Sequence, residues 1–232
     1  MGELFVVASP IGNLSDITIR ALEILRSCDR IACEDTRHTS VLLKHFGIEK
    51  PLISCRARNE CEASVKILQV LDKGEKIAYV SDAGTPGVSD PGSLLVAKAR
   101  EKGHTIIPIP GVSACTTLIS VVGIPFKSFI FEGFLPQKGL KRQKRLQELL
   151  STGCAVVLYE SPYRIIKLFE ELVAVEKILG LDKKGKNMQA IVGRELTKIH
   201  EQLIRGSVAE VLQKLSTETT IKGEFCVFVT IN

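Results

Sequence analysis

The chain alternates short apolar runs with stretches whose apolar residues recur at helical spacing. Residues 4–8, Leu-Phe-Val-Val-Ala, form a run of the kind buried in a parallel sheet, and Ser9-Pro-Ile-Gly-Asn13 breaks it. Asp16 reads as the N-cap of a helix over 17–25, and residues 30–33 as a second short strand. A helix over 39–46 is closed by Gly47, and Asn59 with Glu62 resembles a capping box that opens a helix to residue 73, closed by Gly74. Strands follow at 76–80 and 105–109. A Gly/Pro/Asp-rich loop spans 81–92, and Pro91 suits the first turn of a helix ending near Gly103. A small-residue helix runs from Ser113 to near Gly123.

After Gly123-Ile-Pro125 the pattern changes. Strands are predicted at 128–132, 155–159, 189–192 and 225–231, and helices at 141–150, 162–179 and 207–215. The first half reads as a parallel α/β unit whose strands feed helices, and the second as an α/β unit with a mixed sheet. The boundary falls near 118–126, giving an N-terminal domain over 1–120 and a C-terminal domain over 121–232. No internal repeat or low-complexity segment is present.

Composition narrows the class. With 232 residues, 45% hydrophobic and 25% charged, the chain is globular rather than disordered. No run reaches the roughly 18–20 apolar residues that span a bilayer, and no secretory signal pattern opens the chain. Seven cysteines at irregular spacing, none in a C-x-x-C, read as buried hydrophobes in a reducing, cytoplasmic setting. The net charge of +5 lies wholly in the second half: residues 1–120 hold 14 basic and 14 acidic residues, and residues 121–232 hold 17 and 12. Five cations cluster in 138–145: Lys138, Lys141, Arg142, Lys144 and Arg145. This segment is either a solvated helix face or a contact for a polyanion.

Ligands of open α/β sheets bind beyond the carboxyl ends of the strands. The segments there are Ser9-Pro-Ile-Gly-Asn13, the 81–92 loop and Pro110-Gly-Val-Ser-Ala114. All are built of small residues that allow close backbone approach. No Walker A pattern and no G-x-G-x-x-G follow these strands, which argues against a nucleoside-triphosphate or nicotinamide site. Glycine and proline without a lysine suit a ligand of little phosphate charge.

Eight segments, in order along the whole chain, resemble the RsmI-type 16S ribosomal RNA methyltransferases. They are Val-Ala-Ser9-Pro-Ile-Gly-Asn-Leu-Ser-Asp16, Cys33-Glu-Asp-Thr-Arg-His-Thr39, Ser81-Asp-Ala-Gly-Thr-Pro-Gly-Val-Ser-Asp-Pro-Gly92, Pro110-Gly-Val-Ser-Ala114, Gly133-Phe-Leu-Pro136, Tyr159-Glu-Ser-Pro-Tyr-Arg164, Arg194-Glu-Leu-Thr-Lys198 and Lys222-Gly-Glu224. Tyr163 departs from the family, which often has His there. The family has the tetrapyrrole-methylase fold of class III S-adenosylmethionine (SAM) methyltransferases. The resemblance implies two α/β domains with SAM in the cleft between them. It also implies a homodimer, and methyl transfer to the ribose 2′-OH of a cytidine in the decoding region of 16S ribosomal RNA. It places SAM contacts at Pro10, Ile11, Ala83, Gly84, Thr85, Val88, Ser113, Ala114, Tyr159 and Leu196. Thr85 stands where tetrapyrrole-modifying relatives carry Asp. Its contact then rests on backbone or hydroxyl, which favours the RNA branch.

A ribose hydroxyl is a poor acid and needs a base or an orienting hydrogen bond at attack. Lys198 is the candidate base, with a pKa lowered near the sulfonium, and Glu195 orients it; the alternative is that both bind RNA or pair with each other. His38 and His200 read as structural or RNA-facing. Arg37, Lys141, Arg142, Lys144, Arg145 and Arg164 are candidate RNA contacts. No metal is expected, because Glu34 and Asp35 have no third ligand nearby. Phe129 and Phe131 share a strand face and read as core, and Phe134, at the strand exit, as a substrate or cofactor contact. Two other functions remain open: methylation of a small tetrapyrrole, and an RNA-binding module without activity.

Overall fold

The computed structural model describes residues 1–181, 185–219 and 221–232, and divides the chain into two compact units, Met1–Ser113 and Ala114–Asn232. The first unit contains strands β1 (Glu3–Val7), β2 (Arg30–Cys33), β3 (Leu52–Ser54), β4 (Lys76–Val80) and β5 (Thr105–Ile109). Every pairing is parallel, in the order β3-β2-β4-β1-β5. Strand alternation sorts the side chains into two cores. Phe5, Val7, Ile31, Cys33, Ala78 and Val80 meet helices α1 (Ile19–Ser27) and α2 (Thr36–His45) on one face. Leu4, Ala32, Ile77 and Tyr79 meet α3 (Glu60–Leu71) and α4 (Ser93–Glu101) on the other. The result is a three-layer α/β/α unit with all five carboxyl ends on one edge.

The second unit opens with α5 (Ala114–Val121), which packs on its sheet. The boundary expected near 118–126 falls within or just after this helix, whereas the division at 113/114 assigns the whole helix to the second unit. The unit continues with β6 (Phe129–Phe134), α6 (Leu140–Ser151), β7 (Ala155–Glu160), α7 (Ile165–Ile178), β8 (Met188–Arg194), β9 (Gln202–Ser207), α8 (Val208–Ser216) and β10 (Phe225–Ile231). Its sheet runs β6-β7-β10-β8-β9; only β6 and β7 pair in parallel, so the sheet is mixed as anticipated. One apolar core lies under α6, α7 and α8, where Leu146, Phe169, Leu172 and Val211 meet Val156, Leu158, Val192 and Val227.

Several local readings shift. Thr18, not Asp16, caps α1, accepting from the Ala21 N–H at 3.1 Å. The second helix starts three residues early because Asp35 caps it, accepting from the Arg37 N–H. Asn59 accepts instead from the Arg56 N–H at 2.6 Å, within a short 3₁₀ turn. Pro91 lies outside α4, whose N-cap is Gly92. The predicted core role of Phe129 and Phe131 fails: regular pairing keeps both on one face, but Phe129 is 41% exposed and Phe131 half-buried, and the register shifts only beyond Phe131. Among the described residues no helix is long and apolar enough to cross a membrane. All seven cysteines are free, and five are buried; burial raises the pKa of each buried thiol, that of Cys55 to about 12.

Candidate active site

In the first unit the small-residue loops meet at the carboxyl ends of β1, β4 and β5. Ser9 and Gly84 form a reciprocal bridge: the Ser9 N–H donates to the Gly84 carbonyl at 2.9 Å and the Gly84 N–H to the Ser9 carbonyl at 3.0 Å. The Ser9 hydroxyl donates to the Ser81 carbonyl at 3.1 Å, and the Ser81 hydroxyl to the Gly84 carbonyl at 3.3 Å. The Thr85 hydroxyl donates to the Val112 carbonyl at 3.0 Å. The hydroxyl that replaces Asp therefore ties the second loop to the third. Gly84 has φ +82°, and a Cβ there would lie 3.3 Å from Ile11 Cγ2 and 3.5 Å from the Val112 carbonyl oxygen. A Cβ on Gly111 would lie 2.8 Å from the Ala8 Cβ. At Gly111 the loops approach to a distance that no Cβ permits, while at Gly84 a Cβ would be tightly packed and the backbone lies in the left-handed region that favours glycine.

This arrangement suits a ligand held by main-chain groups. Pro10 and Ile11 are buried beneath it, while Ala83, Thr85, Val88 and Ser113 keep exposed or half-exposed surface. Beside it stand Glu34, Asp82 and Asp90. Burial first, then the charge of Glu34, pushes the Asp90 carboxyl up to about 6, and burial with the charge of Asp82 raises Glu34. Asp82 also accepts from the Asp35 N–H at 2.9 Å. Arg56, not singled out from the sequence, donates to the Glu34 carbonyl at 3.0 Å and pairs with Asp35 at 3.4 Å.

In the second unit the exits of β6, β7 and β8 carry the remaining motifs. The Tyr159 hydroxyl accepts from the Cys115 N–H at the start of α5 at 3.2 Å. The Phe131 and Phe134 rings meet the Tyr159 ring edge-on, with centroids 5.0 and 5.8 Å away. Leu196 folds back over Gly193, where a Cβ would lie 2.7 Å from Leu196 Cδ2. Leu196 as a whole is buried. The turn around it is strained: Glu195 has φ 49° and Thr197 φ 68°. It is held by the Glu195 N–H donating to the Glu224 carbonyl at 3.0 Å and the Glu224 N–H donating to Glu195 Oε1 at 2.8 Å. Gly223 leaves room for this, since a Cβ there would sit 2.5 Å from Glu195 Cγ. Over-determined strain of this kind concentrates at functional sites.

Two expectations need correction. Lys198 does not have a lowered pKa. Burial alone would lower it, but hydrogen bonds to Glu224 at 2.9 Å and Glu195 at 3.0 Å outweigh burial and hold the ammonium above lysine's usual range. In this arrangement Lys198 is an ammonium held between two carboxylates. Burial opposes ionisation of Glu195, but the Glu224 N–H and Lys198 outweigh it and keep its carboxyl below the usual range.

The second correction concerns the basic segment. Arg142 is fully buried and donates to Glu160 at 2.8 Å, Glu171 at 2.7 Å and the Pro136 carbonyl at 3.3 Å. Arg145 forms a two-pronged pair with Glu132 at 2.6 and 2.7 Å. Arg142 cannot reach a phosphate, and the fork of Arg145 is occupied. Lys138, Lys141 and Lys144 are exposed and form no ion pair among the described residues. Arg164 pairs with Glu160 at 2.8 Å, so that carboxylate joins the β6 and β7 exits. Arg37 is 86% exposed, folded onto Asp35 at 2.8 Å. His38 and His200 are exposed.

Residues 3–212 match the tetrapyrrole (corrin/porphyrin) methylase family. A relative named ribosomal RNA small subunit methyltransferase I, from Borrelia garinii subsp. bavariensis, is 47% identical over 97% of both chains. Proteins of the same name are 41% identical from Thermotoga maritima, over 98% of this chain and 97% of theirs, and from Escherichia coli O157:H7, over 98% and 79%. Among solved structures, a cobalt precorrin-4 methyltransferase superposes with a TM-score of 0.72 at 16% identity, covering 97% of this chain and 94% of that one. A diphthine synthase superposes at 0.68 and 16% identity, covering 99% and 90%.

Proposed function

Since this chain belongs to the tetrapyrrole methylase family and, within it, to the group called ribosomal RNA small subunit methyltransferase I, we infer that it is a SAM-dependent methyltransferase of small-subunit ribosomal RNA, and we propose that its acceptor is the ribose 2′-OH of a cytidine in the decoding region. The observation that carries this reading is the 47% identity across 97% of the chain, which takes in the second unit as well as the cofactor loops. The fold alone does not decide, because a cobalt precorrin-4 methyltransferase shares it. The tetrapyrrole alternative is disfavoured by the exposed lysines of the second unit.

When bound, SAM supplies a sulfonium methyl group open to in-line displacement, so the protein's task is alignment. In the first unit, backbone groups of Ala83, Gly84, Thr85 and Val88, with Pro10, Ile11 and Ser113, are the proposed cofactor contacts. In the second unit Ala114, Tyr159 and Leu196 are proposed to contribute. Lys198, held by Glu195 and Glu224, is proposed to act as a fixed hydrogen-bond donor that orients the ribose or its phosphate. Glu195 keeps its anticipated orienting role by holding that ammonium in place.

The substrate implies a cytoplasmic enzyme. We also propose a homodimer, which light scattering showing an active monomer at micromolar concentration would refute. The test of function is to map 2′-O-methyl groups in ribosomal RNA from cells with and without the gene. One cytidine mark should vanish on deletion, and an unchanged small-subunit map would refute the assignment.

A further inference from the structure

The second unit leaves its most exposed apolar side chains together. β6 runs parallel to β7, and β10 runs antiparallel to both β7 and β8, so β6, β7 and β8 all leave the sheet at one edge. Among the described residues of this unit the three most exposed large apolar side chains are Ile199 (98%), Tyr163 (96%) and Leu140 (83%). Tyr163 lies in the β7 exit, Ile199 in the β8–β9 turn, and Leu140 opens α6 just beyond the β6 exit. Ile178 (65%) ends α7, which runs back from the β7 exit to the opposite edge. Single exposed apolar residues are ordinary, but three nearly bare ones at one edge mark an interaction surface. The Tyr163 ring packs on no other aromatic ring among the described residues.

Charge chooses the partner. With the buried Arg142 and Glu160 set aside, residues 134–144, 160–164, 194–201 and 222–224 at this edge hold seven lysines and arginines against three carboxylates. Lys138, Lys141 and Lys144 flank Leu140 with no ion pair among the described residues. Protein–protein interfaces are depleted in lysine, whereas surfaces for single-stranded nucleic acid interleave cations with aromatic rings. A base offers its face to a side chain only where it is unpaired and unstacked.

We propose that this edge is a platform for a single-stranded segment of the RNA substrate. Tyr163 stacks on a base, Leu140 and Ile199 flank it, and the three lysines neutralise phosphates. The proposal rests on the RNA-methyltransferase reading and adds where, and in what form, the RNA is held.

The test uses the full chain with small ribosomal subunits lacking the modification, and with a single-stranded oligoribonucleotide. Tyr163→Ala should raise the KM for RNA about 5- to 150-fold, the range expected for one lost stacking contact. Tyr163→Phe and Tyr163→His should restore it. SAM affinity should not change, nor should the slope of log affinity against log salt, because the ring meets a base and not a phosphate. The chain has no tryptophan, so Tyr163→Trp supplies a unique fluorophore that the oligoribonucleotide should quench. Ile178→Trp, at the opposite edge, should not respond. If Tyr163→Ala matches the parent while the parent methylates RNA, the platform is wrong and the function stands. A parent that transfers no methyl group to RNA refutes both. A change of oligomeric state in Tyr163→Ala would mean that a second copy covers this edge, and would also overturn the proposal.

Discussion

Arg142 lies in a run of five cations, and nothing in that run distinguishes it from its neighbours. Its partners Glu160 and Glu171 stand 18 and 29 residues away, so only the tertiary structure shows that this positive charge is buried. The same applies to Lys198: a lysine near a sulfonium site suggests a lowered pKa, but Glu224, brought in by the last strand, reverses the direction. Arg142→Met should leave Glu160 buried without its main partner and lower the unfolding free energy by about 3–5 kcal/mol, measured by denaturant titration. Asp90 gives a pH signature. Its folded pKa of about 6 lies above the ordinary aspartate value of 3.8, so between these values the folded state binds more protons than the unfolded one. Stability from this group is therefore present at pH 4 and lost as pH rises through 6. Asp90→Asn should stabilise the protein at pH 7 by on the order of 1–2 kcal/mol and leave it nearly unchanged at pH 4, as read by thermal unfolding at both values.

At the scale of elements, β1, β2, β4 and β5 of the first unit were legible because buried parallel strands read as continuous apolar runs. β3 and β9 were not. β3 is only three residues long, and β9, Gln-Leu-Ile-Arg-Gly-Ser, is an edge strand with no clean alternation. The small-residue loops beyond β1, β4 and β5, proposed to hold the cofactor, could be picked out from composition and from the carboxyl-end rule. How they are tied together could not, since the Ser9–Gly84 bridge and the Thr85–Val112 bond join residues 75 and 27 apart. These ties recast the role of Gly84, whose missing Cβ faces Ile11 and Val112, so that the glycine acts by letting the loops close on each other. Gly84→Leu should wedge the loops apart and strain a backbone at φ +82°, lowering SAM affinity at least tenfold in a protein that still folds. Isothermal titration with SAM checks this, and unchanged affinity would remove the loop assignment.

For the whole molecule, the charge asymmetry between halves pointed to a polyanion, and the structure refines which charges are available. Two of the five clustered cations serve the fold, leaving Lys138, Lys141 and Lys144. Replacing these three with Gln should reduce the slope of log RNA affinity against log salt by about 2–3, at roughly 0.7–0.9 per phosphate contact, without altering SAM affinity. An unchanged slope would return the segment to a solvated helix face. The boundary between units, at 113/114 instead of 118–126, was hidden because α5 continues the pattern of the first unit while packing on the sheet of the second. The measurement that bears most directly on the central claim is a reconstituted reaction: purified protein, SAM labelled in its methyl group, and small ribosomal subunits from cells lacking the gene, with the RNA then digested to nucleosides. The account predicts label in 2′-O-methylcytidine at one position, and label on a base, or RNA left unlabelled while SAM binds, would contradict it.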